Sequence, residues 1–378
     1  MKKLKFIAAF FIGIAGGLVI CLLIISLFTD MSLSQFIDKL TALDFMETVM
    51  AFLAGIFFFM ISFIILIPIH EAGHLIAGLL SGYKFVSFRI FNFVLIKEDG
   101  HYRLKRFGIA GTGGQCLLEP PSVPLDRLPV FWYNAGGVLA NIVVFILVLP
   151  LMWVDMAPLI KEFVFMFLLI DALIILLNGI PMQLGGVGND GYNLILLRRS
   201  RLCRAALACQ LRTNSLIQQG LRPRDLPGDL FPYPDEIDYH NPLEVSIPIM
   251  KSGIYIDEGK NYDALRIYEN LYSHKNEIMP LYVQEIACEL IWLRLLAGDK
   301  EGAMALLDPE MKKYLESNRR MMSSKERILC AVALLIENDR EKADTIYKEL
   351  YGRKEEYLLQ GEVKSDLALM EDLLKCHD

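Results

Sequence analysis

The stretch Ile65-Leu66-Ile67-Pro68-Ile69-His70-Glu71-Ala72-Gly73-His74-Leu75-Ile76-Ala77-Gly78-Leu79-Leu80 decides how the chain is read. It closes an apolar run that begins near residue 46, and between Glu47 and Lys84 the only formal charge is Glu71. An ionisable side chain at bilayer depth is costly and marks function. His70 and His74 are four apart, so on a helix both imidazoles lie on one face and can reach one metal ion. Glu71, beside the first, is placed to take a proton from a water held there. The pattern points to metal-dependent hydrolysis inside, or at the edge of, a membrane.

Working outward, four apolar segments stand out, at about 6–28, 46–80, 130–153 and 158–180. The first follows Lys2, Lys3 and Lys5 and is long enough to span roughly 30 Å of hydrocarbon, so it is expected to be a retained helix rather than a cleaved signal. Trp132 and Trp153 bracket the third at a helical separation of roughly 32 Å, the spacing of two interfacial belts. Lysines and arginines cluster before the first segment, after the second (Lys84 to Arg106) and after the fourth (Arg198 to Arg204). The connections at 29–45 and 154–157 hold one lysine between them. The positive-inside rule then places both termini in the cytoplasm and His70 towards the cytoplasmic end of its span. A protein integral to a membrane, with a bacterial cell membrane as its setting, is the expectation.

The chain is 54% hydrophobic over 378 residues, yet residues 241–378 hold 19 of the 38 Lys+Arg and 26 of the 44 Asp+Glu. The second part is therefore expected to be water-soluble and acidic, and a net charge of -6 argues against nucleic acid as a partner. The seven cysteines show no CxxC pair and no metal-type spacing, as expected of reduced thiols facing the cytoplasm. Residues 83–107 change to a strand-like pattern around Asp99-Gly100, and a small β-hairpin is expected there. The glycines of 111–116 suggest a flexible loop, because Pro120-Pro121 oppose the helix that a phosphate cradle requires. A proline-rich stretch is expected to link two domains, 1–215 embedded in the membrane and 243–378 soluble, with 216–242 between them. In the soluble part Gly259, Gly298 and Asn338 recur at offsets of 39 and 40 residues, each between two amphipathic helical patterns. That is the pattern of stacked, tetratricopeptide-like helical hairpins. The fold class expected is mainly α: a polytopic membrane protein with about four transmembrane helices and a small β-hairpin, followed by a cytoplasmic α-helical domain.

Two imidazoles leave a zinc ion short of a ligand. His101, His240, His274 and His377 fall in the hairpin, the linker or the soluble part. Asp171, inside the fourth apolar segment, and Asp190, just past it, both remain open as the third ligand.

His70-Glu71-Ala72-Gly73-His74 in one span, Ala135-Gly136-Gly137-Val138-Leu139-Ala140-Asn141 in the next, and Asn178-Gly179-Ile180-Pro181 leading to Asp190-Gly191 resemble the site-2 protease family of intramembrane zinc metalloproteases. The resemblance covers about residues 46–195. It implies His70 and His74 as zinc ligands, Asp190 as the third and Glu71 as general base. It further implies Asn141 and Asn178 as active-site neighbours that orient substrate or support the ligands. Asp171, seven residues before Asn178, is left as support of the metal site or as the fallback ligand. The chain departs from the family twice: its Gly-Pro-x-x-Asn element carries no proline, and the Pro181–Asp190 gap is four residues longer, filled by Gly185 to Gly188. The activity implied is regulated intramembrane proteolysis of a transmembrane protein or peptide; the helical hairpins, outside the resemblance, are expected to be where a cytoplasmic protein partner is engaged. The competing expectation is a catalytically silent membrane scaffold that recruits partners through those hairpins. A zinc transporter is disfavoured because too few ligands line a path.

Overall fold

The computed structural model describes residue 38 and residues 44–98, 100–108, 112–184, 187–231 and 236–377. The expected first span at 6–28 lies outside the described residues, as does Cys21. Among the described residues the protein is mainly α, with thirteen helices and a four-stranded antiparallel sheet. Helix α1 is Phe45–Leu80, α2 is Val130–Val148, α3 is Pro158–Gly179, α4 is Asp190–Arg199 and α5 is Arg201–Gln218. The remaining eight are α6 (Pro242–Asp257), α7 (Asn261–Ser273), α8 (Pro280–Leu296), α9 (Lys300–Leu306), α10 (Pro309–Asn318), α11 (Ser323–Leu335), α12 (Arg340–Gly352) and α13 (Gln360–Lys375). Among the described residues two helical segments are long and apolar enough to cross a membrane, Phe45–Leu80 and Leu125–Trp153. The fourth apolar segment forms α3, which carries Lys161, Glu162 and Asp171.

The chain divides into two compact units, one of residues up to 66 with 143–173, the other of 67–142 with 174–378. In the first, Phe58 packs on Phe163 at a ring separation of 5.5 Å, and Met152, Val164 and Leu168 form a small core. Asp171 is fully buried in this unit.

The second unit holds the sheet, whose strands are β1 (Lys84–Ile90), β2 (Phe93–Glu98), β3 (His101–Arg106) and β4 (Gly114–Glu119) in the order β3-β2-β1-β4. The expected single hairpin is therefore corrected to four strands. The chain turns once at Gly100, with φ +80°, as the Asp99-Gly100 signal indicates. It also turns at Phe91-Asn92, inside what looks like one aromatic run, with Phe91 at φ +50° and Phe107 N–H donating to the Asn92 carbonyl at 3.0 Å. The expected loop at 111–116 becomes in part β4, which pairs with β1 and buries Cys116 and Leu118 alternately, the period-two pattern of a half-buried strand.

In the same unit α5 is bonded to this sheet. Gln218 Nε2 donates to the Val86 carbonyl at 3.2 Å, and Ser215 Oγ donates to Glu119 Oε2 at 2.9 Å. The described part of the proline-rich stretch after α5 is packed up to residue 231: Leu226 and Phe231 join Cys209, Ile217 and Ile254 in one core, and Arg222 pairs with Asp257. Beyond it, Gly259, Gly298 and Asn338 all take left-handed φ (+74°, +80° and +54°) between α6 and α7, α8 and α9, and α11 and α12. The 39- and 40-residue offsets thus mark helical hairpins closed by residues that tolerate that backbone. The first two hairpins and α11 share a core built on Trp292, Leu290, Ile291 and Ile328, each at most 1% exposed, while α12 packs through Ala343, Ile346 and Leu350 in a second core with Cys330 and Ala333 of α11.

Candidate metal centre

Helix α1 carries His70 and His74 on one face, and each ring is fixed through Nδ1. His70 Nδ1 lies 2.7 Å from Asn141 Oδ1, on α2, and His74 Nδ1 lies 2.7 Å from the Tyr133 carbonyl, also on α2. A carbonyl oxygen only accepts, so the His74 Nδ1 must carry the proton and its Nε2 keeps a free lone pair in the neutral ring. Asn141 Oδ1 acts alike on His70. The two Nε2 atoms then face each other at 3.2 Å.

Asp190 completes the group. Its Oδ2 lies 3.2 Å from His70 Nε2 and 3.4 Å from His74 Nε2, and the three ligand atoms lie within 4.8 Å of one another. Burial resists ionisation of Asp190; His70 and His74 hold its carboxyl down to about 2 only when their rings also carry a proton on Nε2, and with neutral rings a bound cation would do the same. Oδ2 is buried with no aligned hydrogen-bond donor among the described residues. Two imidazole lone pairs and an ionised, orphaned carboxylate oxygen that converge on one point form a donor set suited to zinc. Cys116, nearby on β4, does not compete, because burial pushes its thiol well above the ordinary value and keeps it neutral.

The position of Asp190 depends on a residue that motif reading passes over. Asn189 caps α4: its Oδ1 accepts from Tyr192 N–H at 2.9 Å and Met182 N–H at 3.2 Å, and its Nδ2 donates to the Leu177 and Ile180 carbonyls, both at 2.6 Å. One side chain thereby ties the end of α3 to the start of α4. The longer gap before Asp190 does not displace it, since Gln183–Leu184 pairs antiparallel with Val187–Gly188 and Asn189 N–H returns to the Met182 carbonyl at 3.1 Å. Asn178 lies at the end of α3, and its amide donates back to the Ile174 carbonyl at 3.0 Å.

Three glycines bring backbones against the site. Gly73 on α1 and Gly136 on α2 touch so closely that a Cβ on either would fall 2.3–2.4 Å from the other's carbonyl oxygen. This close helix crossing puts Gly137 against the rings: a Cβ there would sit 2.5 Å from His74 Nε2 and 2.6 Å from His70 Nε2. Gly114, the first residue of β4, abuts Glu71, where a Cβ would lie 2.4 Å from Cγ and 2.6 Å from Oε1.

Arg89 holds that strand end in place. It is 2% exposed on β1, and its guanidinium donates to the Phe91 carbonyl at 2.9 Å, Thr112 Oγ1 at 2.6 Å and the Gly114 carbonyl at 3.0 Å. Burial lowers the affinity of Arg89 for its proton, and the Glu71 charge acts the other way. The site therefore groups His70, Glu71, His74, Asn141 and Asp190, as their sequence motifs suggest, and adds Asn189, Arg89, Gly114 and Gly137. Asp171 is not among the ligand atoms that converge. Of these, Gly137 stands in the second motif without that motif marking its contact with the rings, and Asn189 had a signal as an N-cap residue before an acidic first turn.

Comparison of the chain with protein-family models, with curated proteins and with solved structures finds no match.

Proposed function

We propose that the protein is an intramembrane zinc metalloendopeptidase that cleaves membrane-embedded protein or peptide substrates near the cytoplasmic side of the bilayer. The observation that carries this reading is the convergence of His70 Nε2, His74 Nε2 and Asp190 Oδ2 beside Glu71 on a long apolar helix. The ordered motifs that resemble the site-2 protease family support it, as does the Nδ1 anchoring that turns both Nε2 atoms towards the carboxylate. The finer architecture proposed is four membrane spans with both termini in the cytoplasm and a tetratricopeptide-like region after them.

His70, His74 and Asp190 would hold a zinc ion, which would supply Lewis acidity to a scissile carbonyl and to a water. Glu71 takes the proton of the attacking water and passes it to the leaving amine. Asn141 keeps His70 oriented, and Tyr133 does the same for His74 through its carbonyl. A transmembrane helix hides its carbonyls in internal hydrogen bonds, so the substrate must unwind before cleavage. β4 is an edge strand whose first residue touches Glu71, and an extended segment that pairs along it would present its backbone there.

A membrane scaffold that recruits partners is the second reading, favoured by the three helical hairpins of the C-terminal part. It has no use for Glu71 between two anchored imidazoles. The test is zinc content and cleavage of membrane peptides by the purified wild type, Asp190→Asn and Asp171→Asn. Zinc lost from the Asp190 variant and kept by the Asp171 variant supports the proposal. The reverse pattern overturns the ligand assignment, and zinc absent from all three overturns the function.

A further inference from the structure

A cavity of about 260 Å³ lies among α5, α6, α8, α11 and α13, outside the metal centre. Its charged lining is unbalanced. Glu285, Glu289, Glu362 and Asp366 border it with Arg327 as the one lining cation. Most of these charges are already engaged. Lys325 Nζ donates to Glu285 Oε2 at 2.6 Å, Arg327 Nη2 donates to Glu289 Oε2 at 2.7 Å and Arg327 Nε donates to Asp366 Oδ1 at 2.6 Å. Ser323 Oγ donates to the other oxygen of Asp366 at 2.6 Å.

Two polar groups are left over. The Glu362 carboxyl lines the cavity beside Asp366, Glu289 and Glu285, whose own cationic partners are those just named. Arg327 is 3% exposed, and its Nη1 is buried without a partner. A buried donor left unmade is costly, and a buried carboxyl among like charges gives up its own charge unless a cation joins it. The opposite side is apolar, with Ile217 from α5 and Ile249 and Met250 from α6.

Gly253 supplies a further observation. It sits mid-helix in α6, borders the cavity, and a Cβ there would meet nothing within 4 Å. Glycine weakens a helix interior, and neither close packing nor a left-handed backbone requires it here. Its effect is to keep the space open.

We propose that this cavity binds an α-aminoacyl group with an apolar side chain, its ammonium on Glu362, its carbonyl oxygen on Arg327 Nη1 and its side chain against α5 and α6. The ligand class supplies what the lining lacks: a cation, one acceptor and an apolar body. The volume holds on the order of nine waters, which suits an amino acid or the first residues of a peptide rather than a folded partner. A free amino acid and a peptide N-terminus share this chemistry. The inference does not depend on the peptidase reading.

The test is calorimetric titration of the full chain in detergent with L-leucinamide and with N-acetyl-L-leucinamide. The wild type is expected to bind L-leucinamide saturably, and acetylation, which removes the ammonium, to weaken binding at least tenfold. Glu362→Gln keeps the shape and is expected to lose a similar factor. Gly253→Leu fills the cavity and is expected to abolish binding while the thermal unfolding temperature stays level or rises. Leucine compared with Leu-Gly-Gly then tells a free amino acid from a peptide end, whichever binds more tightly. No binding by the wild type at millimolar concentration overturns the proposal, as does equal binding of the acetylated compound or unchanged binding by both variants.

Discussion

Gly137→Ala is expected to weaken zinc binding at the proposed site while leaving His70, His74 and Asp190 unchanged in sequence. The added Cβ would lie 2.5 Å from His74 Nε2 and 2.6 Å from both Nε2 and Cε1 of His70. Non-bonded carbons and nitrogens approach at best about 3.5 Å, so rings or backbone must retreat by roughly 1 Å. The rings are not free to do so. Each is anchored at Nδ1 by a 2.7 Å contact, and α2 is pressed on α1 at the Gly73–Gly136 crossing. Loss of one supporting contact around a metal ligand typically costs 10–100-fold in affinity, and here two rings move at once, so a loss of about 10²–10⁴ is expected. That corresponds to about 3–5 kcal/mol. Overpacking also lowers the stability of the metal-free protein by about 1–3 kcal/mol. The assay is zinc content after dialysis against graded zinc buffers, with circular dichroism to confirm that the helices persist. A folded Gly137→Ala protein that holds zinc as tightly as the wild type would refute the placement of this backbone against the metal-binding atoms.

Other positions separate the parts of the site. Gly114→Ala pushes on Glu71 rather than on the ligands, so zinc content should be unchanged while the cleavage rate falls by at least tenfold; loss of zinc instead would show that β4 supports the metal. Asn189→Ala removes the cap of α4 and the ties to α3, which should destabilise the second unit by about 1–2 kcal/mol in chemical denaturation and weaken zinc retention; an unchanged denaturation curve would contradict it. Burial, with the charges of Asp366 and Glu289, raises the Glu362 carboxyl from an ordinary 4.5 to about 8, although Lys325 opposes this. A folded-state pKa above the unfolded one means that the native protein holds a proton the unfolded chain has released, so stability falls as pH rises between about 4.5 and 8. Glu362→Gln should remove that slope, worth on the order of 2–4 kcal/mol after allowance for water in the cavity, and thermal unfolding of the two proteins at pH 5, 7 and 9 would reveal parallel profiles if the reasoning fails.

The parts of the molecule governed by local periodicity were legible in the chain. Histidines four apart on an apolar helix must share a face, and left-handed turns at Gly259, Gly298 and Asn338 announce helical hairpins. The sheet was legible only in part. Phe91 turns the chain with a positive φ inside an aromatic run, and nothing in its residue type announces that backbone. β4 hid behind glycines that look like a loop but serve to let the strand start against Glu71. The site's packing was not legible at all, since Gly137 and Gly114 matter for what lies across space from them. Arg89 is similar: along β1 it is one more basic residue after an apolar segment, and only the fold turns it inward to hold the carbonyls of 91 and 114. Asp190 came from the order of motifs rather than from spacing, and its place beside the imidazoles rests on Asn189, which bridges two helix ends.

The most direct test of the peptidase reading is cleavage of membrane peptides by purified Glu71→Gln beside the wild type, with zinc measured in both. One zinc per chain is expected in each protein and cleavage by the wild type alone, because a glutamine in place of Glu71 keeps the shape of the site and cannot accept a proton. Cleavage that persists undiminished in the Glu71→Gln protein, or a wild type that holds no zinc, would contradict it.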